Sequence, residues 1–130
     1  DVNIELKGKD TAYETVSLID NYIEKYNWNY KNFIVSSFKN EELIALYKIS
    51  KKIPLGVLIE SNLDEAITFA KSINAVAIHP DYTMLTKENV KKAQAEGFAV
   101  NTWTVNTPKA IERMTHYNVD AIISDFPDKL

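Results

Sequence analysis

The stretch VNIELK, residues 2 to 7, decides the fold of this 130-residue chain. Side chains alternate along a strand, so the apolar residues at positions 2, 4 and 6 share one face, whereas Asn3, Glu5 and Lys7 share the other. A central strand of an open α/β sheet is covered by helices on both faces and is apolar throughout. A barrel strand instead turns one face to the helices and the other to a lumen whose upper layer can be polar. The alternation therefore favours a barrel.

Short apolar runs alternate with helical patterns outward from this stretch to the end of the chain. The predicted strands are Val2 to Leu6, Phe33 to Ser37, Leu55 to Ile59, Ala75 to Ile78, Phe98 to Thr104 and Ala121 to Ser124. Strict alternation predicts parallel strands joined by right-handed crossovers. A doubly wound sheet shows the same alternation, but the nearly even spacing of the strands favours a barrel. The sequence thus predicts an α/β fold, a partial TIM barrel with six parallel strands and five intervening helices, forming one domain over residues 1–130.

Three of the predicted helices have recognisable start signals. Thr11 with Glu14, and Ser61 with Asp64, have the spacing of capping boxes. Thr107 precedes a proline at the first helical position, which is the usual arrangement of an N-cap followed by proline.

The composition excludes several classes of function. A net charge of -3 and a pI near 5.4 argue against nucleic acid or an anionic membrane surface as the main partner, because both attract basic patches. Cysteine is absent, which excludes thiol catalysis, cysteine zinc sites and disulfides. No apolar run approaches the roughly 20 residues that cross a bilayer. None of this selects a compartment.

Six strands cannot close a TIM barrel, which has eight. Because the chain begins inside a predicted strand, we expect it to be a piece whose first two barrel strands lie upstream. The alternative is that its open sides are covered by association, for example in a homodimer.

Two residues at the end of the first strand are candidates for chemistry. Glu5 and Lys7 point the same way at the carboxyl end of the strand, where barrel active sites form. A carboxylate there can bind a hard divalent cation, and an ammonium beside it can neutralise a phosphate oxygen. A structural ion pair that fills the lumen would have the same spacing.

Four further side chains have both a functional and a structural interpretation, and a fifth has only a structural one. Trp103, near the end of the fifth strand, and Phe38, after the second, could each wall a small ligand or belong to the core. His79 could be a ligand, a general acid or a phosphate contact, or a loop histidine bonded to nearby backbone. His116 is explained by the dipole of its helix. Asp125 either orients a neighbouring group or caps a turn.

The segments NIELKG, IVSSF, PLGVLIE, HPDYTMLT, VNTWTVNTP and ISDFPDKL, in this order, resemble successive strand ends of the glycerophosphodiester phosphodiesterase family. The resemblance covers nearly the whole chain and implies barrel strands three to eight. It also implies hydrolysis of glycerophosphodiesters to glycerol 3-phosphate and an alcohol, with Ca²⁺ or Mg²⁺.

The resemblance also implies roles for single residues. Glu5 matches the metal-binding carboxylate, Lys7 the lysine that contacts phosphate, and Trp103 the aromatic residue beside the glycerol. Phe38 would line the same pocket. His79 stands where many relatives carry asparagine, which makes it a neighbour of the substrate.

The chain departs from the family pattern in one large respect. The His-Arg-Gly motif, the Glu-x-Asp metal pair and the histidine acid of the family have no counterpart in it. We therefore expect the 130-residue chain alone to be inactive, and the phosphodiesterase activity to belong to a protein that includes those segments. The alternative is a non-catalytic partial barrel that binds a phosphate ligand or oligomerises.

Overall fold

The structure, a computed structural model, describes residues 2–130. The strands are β1 (Val2–Glu5), β2 (Phe33–Ser37), β3 (Leu55–Ile59), β4 (Ala77–Pro80), β5 (Ala99–Thr102) and β6 (Ala121–Ile122). The helices are α1 (Ala12–Tyr26), α2 (Asn40–Ile49), α3 (Leu63–Ser72), α4 (Lys87–Ala95) and α5 (Pro108–His116). Short 3₁₀ turns cover Tyr30–Asn32, Tyr82–Met84 and Pro127–Lys129. None of the described helices is long and apolar enough to span a membrane.

The six strands are all parallel and form one sheet in the order of the sequence, from β1 to β6. A doubly wound sheet reverses its strand order partway, whereas a barrel adds each strand beside the preceding one. The sequential order therefore confirms the predicted partial barrel of six strands and five helices.

The hydrophobic core lies between the sheet and the helices. Ile4 is opposite Val35, and Val35 is opposite Leu55, so apolar residues of neighbouring strands form continuous rows on the helical face. Ile19 of α1 and Leu43 of α2 are fully buried against this face.

The other face of the sheet is the lumen of the partial barrel. It encloses a cavity of about 490 Å³. Polar groups from β1, β4 and β5 lie among its apolar walls, namely Asn3, His79 and Asn101. Within VNIELK, Asn3 thus lines the lumen cavity, whereas Ile4 packs against the core on the helical face.

Strand β4 is displaced from its predicted position by two residues. It covers Ala77–Pro80, not Ala75 to Ile78, because the amide of Ala75 still bonds to the carbonyl of Ala70 at the end of α3 (2.9 Å). Pro80 has no N–H to donate, but its carbonyl accepts from the amide of Trp103 (3.3 Å) and thus extends the strand.

Two of the three predicted helix starts are wrong in detail. Thr107 does cap α5, since its hydroxyl accepts from the Ala110 amide (3.2 Å). Thr11 precedes α1 without a capping bond from its side chain. The cap of α3 is Asn62, not Ser61; its side chain accepts from the Glu65 amide in the same turn (3.2 Å).

Candidate functional site

The carboxyl ends of parallel strands meet at one edge of a sheet, and this edge is where barrel enzymes build their sites. In this chain, Glu5 and Lys7 come from the end of β1, Phe38 follows β2, and Trp103 follows β5. His79 lies one layer deeper, inside β4.

Glu5 lies on the lumen face of β1. It is in register with Ser36, whose hydroxyl bonds to the side chain of Asn3 on the same face (3.0 Å). Glu5 and Lys7 are both exposed and line a shallow groove of about 270 Å³ beside α1. Within residues 2–130 neither has a salt-bridge partner, so the two do not form the structural ion pair that was the alternative.

Phe38 and Trp103, which the family resemblance assigns to one pocket, lie in contact with each other. Their ring centroids are 5.7 Å apart and the planes are nearly perpendicular (88°), which is a favourable edge-to-face contact. The indole N–H of Trp103 donates to the carbonyl oxygen of His79 (2.7 Å) and fixes the orientation of the ring. Phe38 is 45% exposed, so part of its ring surface remains open to a ligand.

His79 is not a loop residue. Its ring is fully buried in the lumen, where Nε2 is 3.1 Å from the side-chain amide of Asn101. The ring also covers Gly56, because a Cβ at that position would lie only 2.7 Å from Nε2. Burial lowers the pKa of His79 to about 4, so the imidazole is neutral near pH 7. In the described residues Nδ1 has no hydrogen-bond partner. Contact between His79 and a substrate stays a prediction.

Of the other two residues, His116 lies in a helix and Asp125 follows β6. His116 is exposed in the last turn of α5. Each helix returns the chain to the amino end of the sheet, so His116 lies away from the strand ends that carry Glu5 and Trp103. Asp125 orients a neighbour, since its carboxylate accepts from the Asn106 side chain (2.9 Å).

Several polar residues that shape this edge are not among the predicted site residues. The period of the strand predicts Asn101 on the same face as Trp103, two residues later, although it assigns Asn101 no role in the site. Asn106 follows β5 as Asp125 follows β6, which is a strand-end signal of the same kind. Ser37 and Glu42 act through contacts with residues 31 positions away, and nothing local in the sequence indicates them.

A divalent cation needs more ligands than this edge supplies. Ca²⁺ and Mg²⁺ take about six or more oxygen ligands, of which the protein usually gives several. Residues 2–130 contain no group of three or more histidine or carboxylate side chains placed to hold a metal ion. The described residues therefore do not form a complete cation site by themselves, although the exposed carboxylate of Glu5 is suited to be one ligand.

Comparisons with known proteins identify relatives along the whole chain. The model of the glycerophosphoryl diester phosphodiesterase family matches residues 2–129. The glycerophosphodiester phosphodiesterase of Caldanaerobacter subterraneus is 31% identical over 99% of the chain, and that of Bacillus altitudinis is 31% identical over 98%. The chain spans 53% of each of these two proteins, about half of their length.

A solved structure shows the same fold. The phosphodiesterase of Oleispira antarctica, in complex with the product sn-glycerol-3-phosphate, superposes with a TM-score of 0.81 at 19% sequence identity. The superposition covers 98% of this chain and 52% of the Oleispira chain.

Proposed function

The chain belongs to the glycerophosphoryl diester phosphodiesterase family, and from this premise we propose that the protein containing it hydrolyses glycerophosphodiesters to glycerol 3-phosphate and an alcohol. The observation that carries the proposal is the family match over residues 2–129, because it includes all six strand ends. Two relatives that match nearly the whole chain are glycerophosphodiester phosphodiesterases, and the Oleispira enzyme holds the corresponding product.

Lys7 supplies electrostatic stabilisation in this proposal. Its ammonium group is exposed at the mouth of the barrel and has no carboxylate partner within residues 2–130. Negative charge accumulates on the phosphoryl oxygens during displacement, and a fixed cation beside them lowers the barrier. Lys7 therefore contacts the phosphate and transfers no proton.

Phe38 and Trp103 orient the substrate. The indole is held by the His79 carbonyl, and the phenyl ring packs against it edge to face. Such a wall can accommodate the carbon chain of the glycerol moiety, and the fixed rings reduce the entropy lost on binding.

Glu5 contributes one oxygen ligand to a site for Ca²⁺ or Mg²⁺ in the same proposal, and its other ligands come from outside residues 2–130. When bound, the cation would neutralise charge on the phosphoryl group. Proton transfer likewise requires groups beyond the described residues. His79 is buried and neutral, and His116 lies at the other end of the barrel.

Lysine and glutamate variants of the complete enzyme test this function. We expect Lys7→Met to lower kcat/KM for glycerophosphocholine by about a hundredfold or more, because a charge opposite the phosphoryl oxygens is lost. Glu5→Gln should raise the concentration of Ca²⁺ or Mg²⁺ that gives half-maximal activity. The assay follows the release of glycerol 3-phosphate.

Lys9→Met is the matched control, since Lys9 is exposed in the same loop and carries the same charge. It should retain activity within roughly twofold, as expected of a surface lysine outside the site. Full activity of Lys7→Met, or equal losses in both lysine variants, would contradict the assigned role.

A further inference from the structure

The loop that carries Lys7 is anchored at both ends by hydrogen bonds to neighbouring elements. At the first anchor, the amide of Leu6 donates to the carbonyl of Ser36 (2.8 Å). The hydroxyl of Ser37, fully buried, donates to the carbonyl of Leu6 (2.7 Å). The backbone immediately before Lys7 is thus attached to the end of β2 by both of its polar groups.

The second anchor is a buried carboxylate. Glu42 lies in the first turn of α2, is only 6% exposed, and accepts from the amide of Thr11 (3.1 Å). The Thr11 hydroxyl is also within 3.5 Å of the same carboxylate oxygen. The positive end of the α2 dipole favours a negative charge at this place. Glu42 therefore accepts from the amide of the residue that precedes α1, the bond that Glu14 would make in a capping box.

Residues 7–10 bridge these two anchors. Four residues between two fixed points have little freedom, and Asp10 adopts the left-handed conformation (φ 58°) that reverses the chain into α1. The Lys7 side chain itself is exposed and has no salt-bridge partner within residues 2–130. The position of its backbone is therefore determined by Ser37 on one side and Glu42 on the other.

We propose that Glu42, assisted by Ser37, is a positioning residue that fixes the β1–α1 loop and so sets the place of the Lys7 ammonium group opposite the phosphate. The inference rests on the proposed function of Lys7. Neither residue touches the substrate in this proposal. Loosening either anchor disperses the Lys7 ammonium over several positions and weakens its attraction for the phosphoryl oxygens.

The first experiment compares Glu42→Ala with two close variants in the complete enzyme, using sn-glycerol-3-phosphate as the titrated ligand. We expect Glu42→Ala to weaken binding roughly tenfold, as the loss of one anchoring bond and of loop order would do. Glu42→Gln keeps an oxygen that accepts from the Thr11 amide, and should bind within about threefold of the wild type.

Glu41→Ala is the matched control. Glu41 is the preceding residue, carries the same charge at the same helix end, and is exposed. It should leave the affinity unchanged, because it does not touch the loop. Equal weakening by Glu41→Ala and Glu42→Ala would overturn the proposal in favour of a general charge effect. Unchanged affinity in Glu42→Ala would overturn it as well.

A double-mutant cycle with Lys7→Met separates positioning from a loss of stability. If Glu42 acts through Lys7, Glu42→Ala should have little further effect on affinity once Lys7 is methionine. An undiminished effect in that background would overturn the proposal. A Lys7→Met single variant with wild-type affinity would instead show that the proposed function of Lys7 is wrong, which is a distinct outcome.

Ser37→Ala keeps the proposal testable if Glu42→Ala does not fold. It removes the bond to the Leu6 carbonyl and should weaken binding of sn-glycerol-3-phosphate in the same Lys7-dependent way, with the thermal unfolding of each variant measured in parallel. Weakening that persists in the Lys7→Met background, or that is absent from a folded Ser37→Ala, would count against the proposal.

Discussion

At the scale of single residues, His79 links the packing of the lumen to the aromatic wall of the site. Its carbonyl holds the Trp103 indole, while its imidazole accepts from the amide of Asn101. Accepting at Nε2 leaves the ring proton on Nδ1, which is the neutral form favoured by burial. His79 thus supports the residue that we expect to face the glycerol.

The buried imidazole makes stability depend on pH. The pKa of His79 is about 4 in the folded protein, below the usual value of 6.5, so the unfolded chain binds the proton more readily. The free energy of unfolding should therefore fall as the pH drops from about 6.5 to about 4, by roughly 3 kcal/mol from this residue. Below the folded pKa this contribution stops changing. Urea denaturation of the complete enzyme across this pH range measures the slope.

His79→Asn should reduce that slope, whatever it does to stability at neutral pH. His116→Asn is the matched control, because it removes the other histidine, which is exposed on α5 and lies away from the lumen. A wild-type slope in His79→Asn would show that other groups cause the acid sensitivity.

At the scale of secondary-structure elements, the close approach of β3 and β4 depends on a glycine. A Cβ on Gly56 would lie 2.7 Å from Nε2 and 3.0 Å from Cδ2 of the His79 ring, which is buried and bonded to Asn101. We expect Gly56→Ala to reduce the free energy of unfolding by about 1 to 3 kcal/mol through overpacking. Urea denaturation at neutral pH measures this.

Gly8→Ala provides the comparison. The nearest side-chain atom to its added Cβ is the Thr11 methyl at 3.3 Å in an exposed loop, so the cost should be smaller. Truncating His79 to alanine should remove part of the Gly56→Ala penalty, because the two residues are in contact. An equal loss in the free energy of unfolding for Gly56→Ala and Gly8→Ala would mean that the His79 ring can move aside at little energetic cost.

The order and type of the elements were predictable, but several of their ends were not. Short apolar runs between helical patterns identify all six strands, of which β2, β3 and β4 are the most buried. The start of β4 was misplaced because Ala75 is as apolar as a strand residue, yet its amide is still bonded to the end of α3. The capping boxes at Thr11 and Ser61 were wrong because a capping pattern does not specify the loop conformation around it. At Asn62 a left-handed backbone (φ 58°) places the cap one residue later.

The candidate site was predictable only where it follows from the period of a strand. Alternation places Glu5 and Lys7 on the lumen side and Trp103 on the same side of its own strand. The family resemblance assigns their roles, and these assignments stay predictions. The burial of His79 and the bond between Glu42 and Thr11 depend on residues brought together from distant parts of the sequence, which no local pattern records.

At the scale of the whole molecule, we expect the 130-residue chain, produced alone, to release no alcohol from glycerophosphocholine in the presence of Ca²⁺ or Mg²⁺. Its described residues contain no group of three or more histidine or carboxylate side chains placed to hold a cation, and neither the buried His79 nor His116, in the last turn of α5, is placed to transfer a proton at the barrel mouth. The complete enzyme assayed in parallel is the control. Measurable turnover by the chain alone would contradict the proposal that further cation ligands and the proton-transfer groups come from outside residues 2–130.

Association of two copies of the chain through the open sides of the partial barrel stays a prediction about the whole molecule. The lumen cavity has apolar walls that include Val2 and Val76, which are 37% and 46% exposed. Burial of such surface favours a partner by about 25 cal/mol for each Å² removed from water. Light scattering of the isolated chain distinguishes a homodimer from a monomer.

The sequential strand order has a consequence for how the chain can fold while it is being synthesised. Every strand pairs only with the strand made just before it and the strand made just after it. The loops that must close are therefore short, and closing them costs little entropy. Within residues 2–130 the sheet can therefore grow one strand at a time during synthesis, because each of these strands finds its neighbour in the segment made next to it.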